Sequence, residues 1–306
     1  MADKINGFLN IKKPRGWTTY DCVRHVKKTL NVQKVGHAGN LDPHATGVVV
    51  IGIGKATKLL PYVMDLEKVY IADVKLGLLT DTWDITGEVI QKKPVPEITK
   101  EKLEKVLKEF EGEIEQTPPP YSAVRKGGKR LYELARQGIL VTPKTKKVFI
   151  KQISLLDMRK NGFTIRVTCS KGTYIRALAK DVSERLGTVG VIENLLRERV
   201  GHFYIKEAID PNDDLMKNLK PLDYGVLHFG EVSLKNEAVQ QFEKGVPIPF
   251  TSFLRFSANL KRFSFVRVYD EERNFIGIGQ IDVDTLNPRK VLSKIEESED
   301  KEAGIP

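Results

Sequence analysis

The chain holds little cysteine: two residues, Cys22 and Cys169, among 306. Two thiols build neither a disulfide framework nor a thiolate metal site, so the expected setting is a reducing cytoplasm. No apolar run approaches the roughly 20 residues that cross a bilayer. The opening MADKINGFLNIKKPRGW lacks a signal-peptide apolar core, and no membrane partner is expected. Histidine is sparse, and no HExxH, GxSxG or phosphate-loop GxxxxGK pattern occurs. The glycines of IGIGKATK lack the spacing of a dinucleotide-binding turn. No metal and no cofactor is therefore expected. Acidic charge is also short, with 40 Asp and Glu against 50 Lys and Arg, a net charge of +10. Such an excess suits a polyanion, because Lys and Arg release condensed counterions from phosphates. Lys–Glu mixtures such as KEKLEKVLKEFEGE fit a plain solvated surface equally well.

The patterns that are present predict an α+β protein. NGFLNIKKP reads as a strand stopped by Pro14, and TTYDCVRHVKKTLN as a helix capped by Thr18 or Thr19. GVVVIGIG is a continuous β-branched run, the pattern of a strand buried on both faces. KVYIADVKLG alternates and reads as a further strand. Residues 99–110 place Leu103, Val106, Leu107 and Phe110 on one helical stripe. LYELARQG reads as a helix closed by Gly138. The segment 146–170 reads as two strands joined at Asn161-Gly162. TYIRALAKDVSERLG is another helix, with Gly172-Thr173 as a tight entry and candidate N-cap. The polar, proline-broken AIDPNDDLMKNLKPLDYG is expected to connect two domains, the second a small β-rich module, and the charged end to fray.

Three segments carry candidate chemistry. In VGHAGNLDPHATG, Asp42 precedes Pro43, which biases it toward an extended loop conformation. Asp-Pro is also simple turn punctuation. In KGTYIRALAKD, Arg176 falls in the first helical turn, against the unfavourable end of the dipole. That placement calls for an anionic partner, either a carboxylate such as Asp181 or a phosphate. In KVYIADVKLG, Tyr70 faces away from Val69 and Ile71, as core or as a platform on which a base stacks.

GHAGNLDPHATGVVVIGIGKATK, KVYIADVKLGLLTDTWDITGEV and SKGTYIRALAKDV, in that order, resemble the TruB family of tRNA pseudouridine synthases. LNIKKPRGWTTYDCV resembles that family's first motif, and PPPYSAVRKGGKRLYELARQG its RNA-gripping insertion. AVQQFEKGVPI and VRVYDEERNFIGIGQIDVD more loosely resemble a PUA RNA-binding domain. Asn40 stands where the family more often has threonine, and RERV near Arg199 departs slightly from the usual pattern. The resemblance implies a pseudouridine-synthase mixed or antiparallel sheet core with flanking helices, plus a small all-β PUA-like domain. It divides the chain into a catalytic domain over 1–224, with the insertion near 116–143, a PUA-like domain over 225–293 and a tail over 294–306.

By the same resemblance Asp42 is the nucleophile, Tyr70 the residue that stacks on the base, and Arg176 the partner of the aspartate. His37 fills the space left by a flipped uridine, while Arg125, Lys126, Lys129 and Arg130 grip the RNA. Lys13 and Pro14 are structural. The implied substrate is the uridine at position 55 in the T-loop of tRNA, modified by a cytoplasmic monomer with no obligate protein partner. In that reaction N1–C1′ breaks, the base turns over, and C5 bonds to C1′, so no cofactor is consumed. Three routes use the carboxylate: attack at C1′, removal of a C2′ proton to give a glycal, or attack at C6. A bidentate arginine favours the charged form of a buried carboxylate, which lysine does less well. Extruding the uridine costs a few kcal/mol. The glycines flanking Asp42 are expected to let RNA backbone come close. The alternatives are a guide-RNA-dependent ribosomal RNA synthase and an RNA-binding or tRNA-folding chaperone.

Overall fold

The computed structural model describes residues 5–121, 125–126, 129–130, 144–258 and 260–292. The 131–138 helix, most of the 116–143 insertion and the 294–306 tail expected from sequence lie outside the described residues.

The larger sheet has nine strands. They are β1 (Gly7–Lys13), β2 (Val35–His37), β3 (Thr46–Ile53), β4 (Lys68–Leu76), β7 (Gly112–Gln116), β10 (Lys146–Arg159), β11 (Gly162–Cys169), β12 (Gly190–Val200) and β13 (Phe203–Tyr204). Two small hairpins complete the numbering: β5 (Leu78–Thr80) with β6 (Val89–Lys92), and β8 (Arg125–Lys126) with β9 (Lys129–Arg130). The main path runs β1-β3-β12-β4-β11-β10-β7, with β2 on β3 and β13 on β12. All its pairs are antiparallel except β3 with β12. This is the mixed sheet expected. Its centre is dry on both faces: Val49 and Ile51 enter one apolar cluster, while Val48 and Val50 enter another.

Helix α1 (Thr19–Leu30) begins at a capping box, in which Thr18 and Asp21 satisfy each other's backbone N–H groups. It lays Cys22, Val23 and Val26 on the first cluster. A short α2 (Leu60–Asp65) serves the second cluster. Helices α3 (Lys100–Glu109) and α4 (Ile175–Arg185) join α1 on the first. The cap of α4 differs from the expected one. Tyr174 occupies the N-cap with no side-chain capping hydrogen bond, and the Thr173 hydroxyl donates backwards to the Ser170 carbonyl at 3.1 Å.

The 208–225 segment is more than a connection. Phe8 and Lys220 exchange backbone hydrogen bonds of 2.9 and 2.8 Å, and Ile209 bonds to the backbone of Asn10 and Lys12 at 2.9 and 2.7 Å. β1 is the edge of its sheet, and this segment covers its free hydrogen-bonding groups. Leu215 is buried in the main cluster.

The C-terminal sheet has six strands: β14 (Gly230–Leu234), β15 (Ile248–Pro249), β16 (Phe253–Phe256), β17 (Phe265–Tyr269), β18 (Phe275–Ile281) and β19 (Thr285–Val291). Together with α5 (Asn236–Glu243) it closes a core around Val232, Phe242, Val266 and Leu286. It is not a loose appendage. Ile278 and Leu292 share the second cluster with Phe8, Val200 and Phe203 of the larger body. The Tyr62 ring stands edge-on to Phe229 and Phe265 at 5.5 and 5.4 Å. Among the described residues no helix is long and apolar enough to cross a membrane.

Candidate active site

Asp42 sits on the loop between β2 and β3, and every carbonyl from Gly39 to Pro43 accepts a hydrogen bond. The buried Arg197 guanidinium donates to Gly39 and Asn40 at 3.4 and 2.9 Å. The Thr19 hydroxyl reaches the Leu41 carbonyl at 3.3 Å and accepts from the Leu41 N–H at 2.8 Å. Ala45 N–H closes on the Asp42 carbonyl at 3.1 Å. Lys13 Nζ and Gly16 N–H both donate to the Pro43 carbonyl, at 3.1 and 2.8 Å. A loop pinned at each carbonyl is a rigid mount for a side chain. The neighbouring Gly47 has a different reason from the one expected. Its φ is 109°, and a Cβ there would lie 2.3 Å from the Arg197 carbonyl. The close approach is to the protein's own strand β12.

Arg176 emerges from the first turn of α4 and meets Asp42 side-on. Its Nε is 2.8 Å from Oδ2, and its Nη2 donates to Oδ1 at 3.1 Å. The other Nη2 hydrogen goes to the Tyr121 carbonyl at 3.1 Å, and Nη1 donates to the Thr82 carbonyl at 2.8 Å. A second carboxylate, Asp84, lies 3.7 Å from Nη1. The guanidinium thus has four acceptors within 3.1 Å and a further carboxylate at ion-pair distance. The Arg176 side chain is 6% exposed and that of Asp42 35%, so the arginine is fixed and the carboxylate faces outward. Asp181 takes no part in this pairing and lies by Lys180.

Asp84 was not foreseen from the sequence. It is buried, and its Oδ1 accepts from the Thr82 hydroxyl and from the Thr86 N–H and hydroxyl at 3.0, 3.0 and 2.6 Å. The available signal was the T-x-D-x-T spacing, hydroxyls two residues to either side of an acid. Arg197 was also missed. It is buried on β12 with no carboxylate within 4 Å among the described residues; besides the two loop carbonyls, Nε donates to Val48 at 2.7 Å.

Tyr70 on β4 stands opposite Arg197 on one side and Val167 on the other. It is 9% exposed and belongs to the same apolar cluster as Leu41 and Ala45, which bracket Asp42. Burial raises its pKa against the lowering effect of Arg197, so the ring stays a neutral phenol. His37 ends β2, half-buried, with Nδ1 accepting from Gly39 N–H at 3.2 Å. The backbones of Arg125 and Lys126 pair with Arg130 and Lys129, which brings four cationic residues onto one hairpin; their side chains lie outside the described set.

Lys13 is fully buried, and its Nζ donates to three carbonyls: Pro14, Trp17 and Pro43 at 3.0, 2.7 and 3.1 Å. Pro14 thus both stops β1 and supplies one of the three. Burial pulls the Lys13 pKa down to about 8 from 10.5, against the raising effect of Cys22 and Asp42. Between those values the unfolded chain binds more protons, so stability rises with pH. The charge penalty is full below pH 8 and absent above 10.5. Urea unfolding from pH 8 to 10 is expected to give a slope of stability against pH that is shallower in Lys13→Met than in wild type, by up to ~1.4 kcal/mol per pH unit. Equal slopes would show that Lys13 is not the titrating group.

Residues 27–175 match the model of the TruB family pseudouridylate synthase N-terminal domain, and residues 230–292 that of the pseudouridine synthase II TruB C-terminal domain. A tRNA pseudouridine synthase B from Clostridium kluyveri is 40% identical, covering 90% of this chain and 95% of that protein. One from Gloeothece citriformis is 38% identical, covering 94% and 97%. Among solved structures, a chain of an H/ACA RNP bound to a substrate RNA containing 2′-deoxyuridine shares the fold. It has a TM-score of 0.73 and 23% identity, over 93% of this chain and 84% of that one.

Proposed function

The chain belongs to the TruB family of pseudouridylate synthases, and from that premise we propose that Asp42 is the carboxylate through which it isomerises uridine to pseudouridine in tRNA. The observation that carries the proposal is the side-on Asp42–Arg176 pair. A carboxylate meant only to pair with a buried arginine would be buried with it, as Asp84 is. Asp42 instead keeps a third of its surface open, on a loop whose backbone is fixed.

In this reading Arg176 orients Asp42, since an Nε–Oδ2 ion-pair contact of 2.8 Å and an Nη2–Oδ1 hydrogen bond of 3.1 Å grip both oxygens. When N1–C1′ of the uridine breaks, the positive character left on the sugar is met by that carboxylate. The freed base turns over, C5 bonds to C1′, and the proton on C5 leaves. Tyr70 stacks beneath the base, and its neutral phenol can pass that proton on. His37 occupies the gap in the RNA stack. Arg125, Lys126, Lys129 and Arg130 bind phosphates of the T stem-loop, with the uridine at position 55 as the target. The two body regions, 1–224 and 225–293, act as catalytic and RNA-binding domains of a cytoplasmic monomer.

A guide-RNA-dependent activity is the second reading, suggested by the fold shared with the H/ACA RNP chain. The much higher identity to stand-alone tRNA enzymes favours the first. A tRNA transcript labelled with tritium at C5 of uridine tests the choice: release into solvent is expected from the protein alone, with chelator present. Binding without release would move the assignment to the guide-dependent or chaperone reading.

A further inference from the structure

Trp83 carries a backbone conformation that the roles given above leave unexplained. Its φ is 61°, in the left-handed region where a side chain beyond glycine or asparagine is strained. It sits between Thr82, whose carbonyl accepts from Arg176 Nη1 at 2.8 Å, and Asp84, whose carboxylate lies 3.7 Å from the same nitrogen. In an extended strand, a residue's carbonyl and the side chain two positions later diverge. They converge on one guanidinium here because the intervening residue reverses the chain.

The reversal is anchored on both sides. Trp83 N–H bonds to the Thr80 carbonyl at 3.2 Å, its own carbonyl accepts from Ile192 at 3.3 Å, and Ile85 N–H bonds to the Ile192 carbonyl at 2.9 Å. The half-buried indole packs with Leu79, Val189 and Val191. It also lies 5.4 Å from Lys180 Nζ, a cation on α4 one turn beyond Arg176. Glycine would make this turn without strain, so the tryptophan supplies something besides the turn: a second grip on the helix that bears the arginine.

We propose that Trp83 is a positioning residue for the reaction. Its left-handed backbone presents the Thr82 carbonyl and the Asp84 carboxylate together to Arg176, and its ring clamps that presenting turn to α4. The guanidinium is planar, so holding Nη1 fixes the Nε–Nη2 edge that orients Asp42. The proposal rests on the reading of Asp42 and Arg176 as the reacting carboxylate and its partner.

A series at one position tests it. Trp83→Gly and Trp83→Asn keep the left-handed conformation, whereas the β-branched Trp83→Val opposes it. On the full chain, single-turnover tritium release is expected to fall less than fivefold in the Gly and Asn variants and more than fiftyfold in Val. Affinity for tRNA should stay within threefold throughout, so the change appears in kcat rather than KM. If Trp83→Val does not fold, Trp83→Ala replaces it and is expected to fall clearly below Gly. Val or Ala at the glycine rate would overturn the proposal. So would equal loss in Gly, Asn and Val with retention in Trp83→Phe, which would assign the effect to the ring alone. A readout independent of catalysis is the Arg176 side-chain Nε–H in 15N NMR, assigned by its loss in Arg176→Lys. Its protection from solvent exchange should survive in Gly and Asn and disappear in Val. Should wild type release no tritium, the functional reading fails while this signal still decides the positioning claim.

Discussion

Asp42→Asn is expected to bind tRNA as wild type does and to release tritium from C5-labelled uridine at least ~10⁴-fold more slowly, the scale of losing a reacting group. The substitution conserves shape, removes the charge and replaces one acceptor oxygen with an NH2 donor. Arg176 still has the Thr82 and Tyr121 carbonyls and the Asp84 carboxylate, so its own charge is not stranded. The loop around residue 42 is held by backbone carbonyls and not by the aspartate side chain. Folding should therefore survive, with a melting temperature near that of wild type. Single-turnover release and filter binding on the same preparation separate the effects. Wild-type release by Asp42→Asn would take Asp42 out of the chemistry.

The second large effect is expected at Arg176, and it should differ between two substitutions. Arg176→Lys keeps a cation but loses the planar fork. Three hydrogens on one nitrogen cannot span both oxygens of Asp42 and also reach Thr82, Tyr121 and Asp84. Misorientation of Asp42 on the order of 1 Å is expected to cost ~10²-fold or more in kcat, with tRNA affinity retained. Arg176→Met goes further, because it strands Asp84. That carboxylate is buried and keeps only hydroxyl and amide donors. Breaking a buried pair from one side costs about 3–5 kcal/mol, so Arg176→Met should unfold at distinctly lower denaturant than Arg176→Lys. Urea midpoints decide: equal stability of the two variants would mean that the Asp84 contact contributes nothing to stability.

Asp42, Tyr70 and Arg176 each have an ordinary reading alone in the sequence, and their proposed roles were legible only through the resemblance carried by the ordered motifs. An arginine at the unfavourable end of a helix dipole asks for an anionic partner, whereas an aspartate before Pro43 is equally turn punctuation. The ordered motifs then suggested that each answers the other. Strand β3 was legible as doubly buried from an unbroken β-branched run, and α1 and α3 from their apolar stripes and Thr caps. These are local properties, set by side-chain periodicity and by which backbone groups a neighbour can satisfy.

What only the tertiary structure decided was partnership over distance. The 208–225 segment reads as a linker because its side chains are polar, yet its value to the fold lies in main-chain groups that cover the edge of β1. Side-chain patterning is blind to such pairing. Gly47 reads as room for RNA and is instead room for the backbone of Arg197, which pairs with it from β12. Arg197 itself looks like one of 50 cations in the chain. It becomes the brace of the Asp42 loop only when the parallel pairing of β3 and β12 brings it against residues 157 positions away. Asp84 likewise becomes the second acid on Arg176 only because Trp83 reverses the chain. Composition and spacing determined which groups were present and which local shapes they preferred. The sheet order and one left-handed residue determined which of them meet.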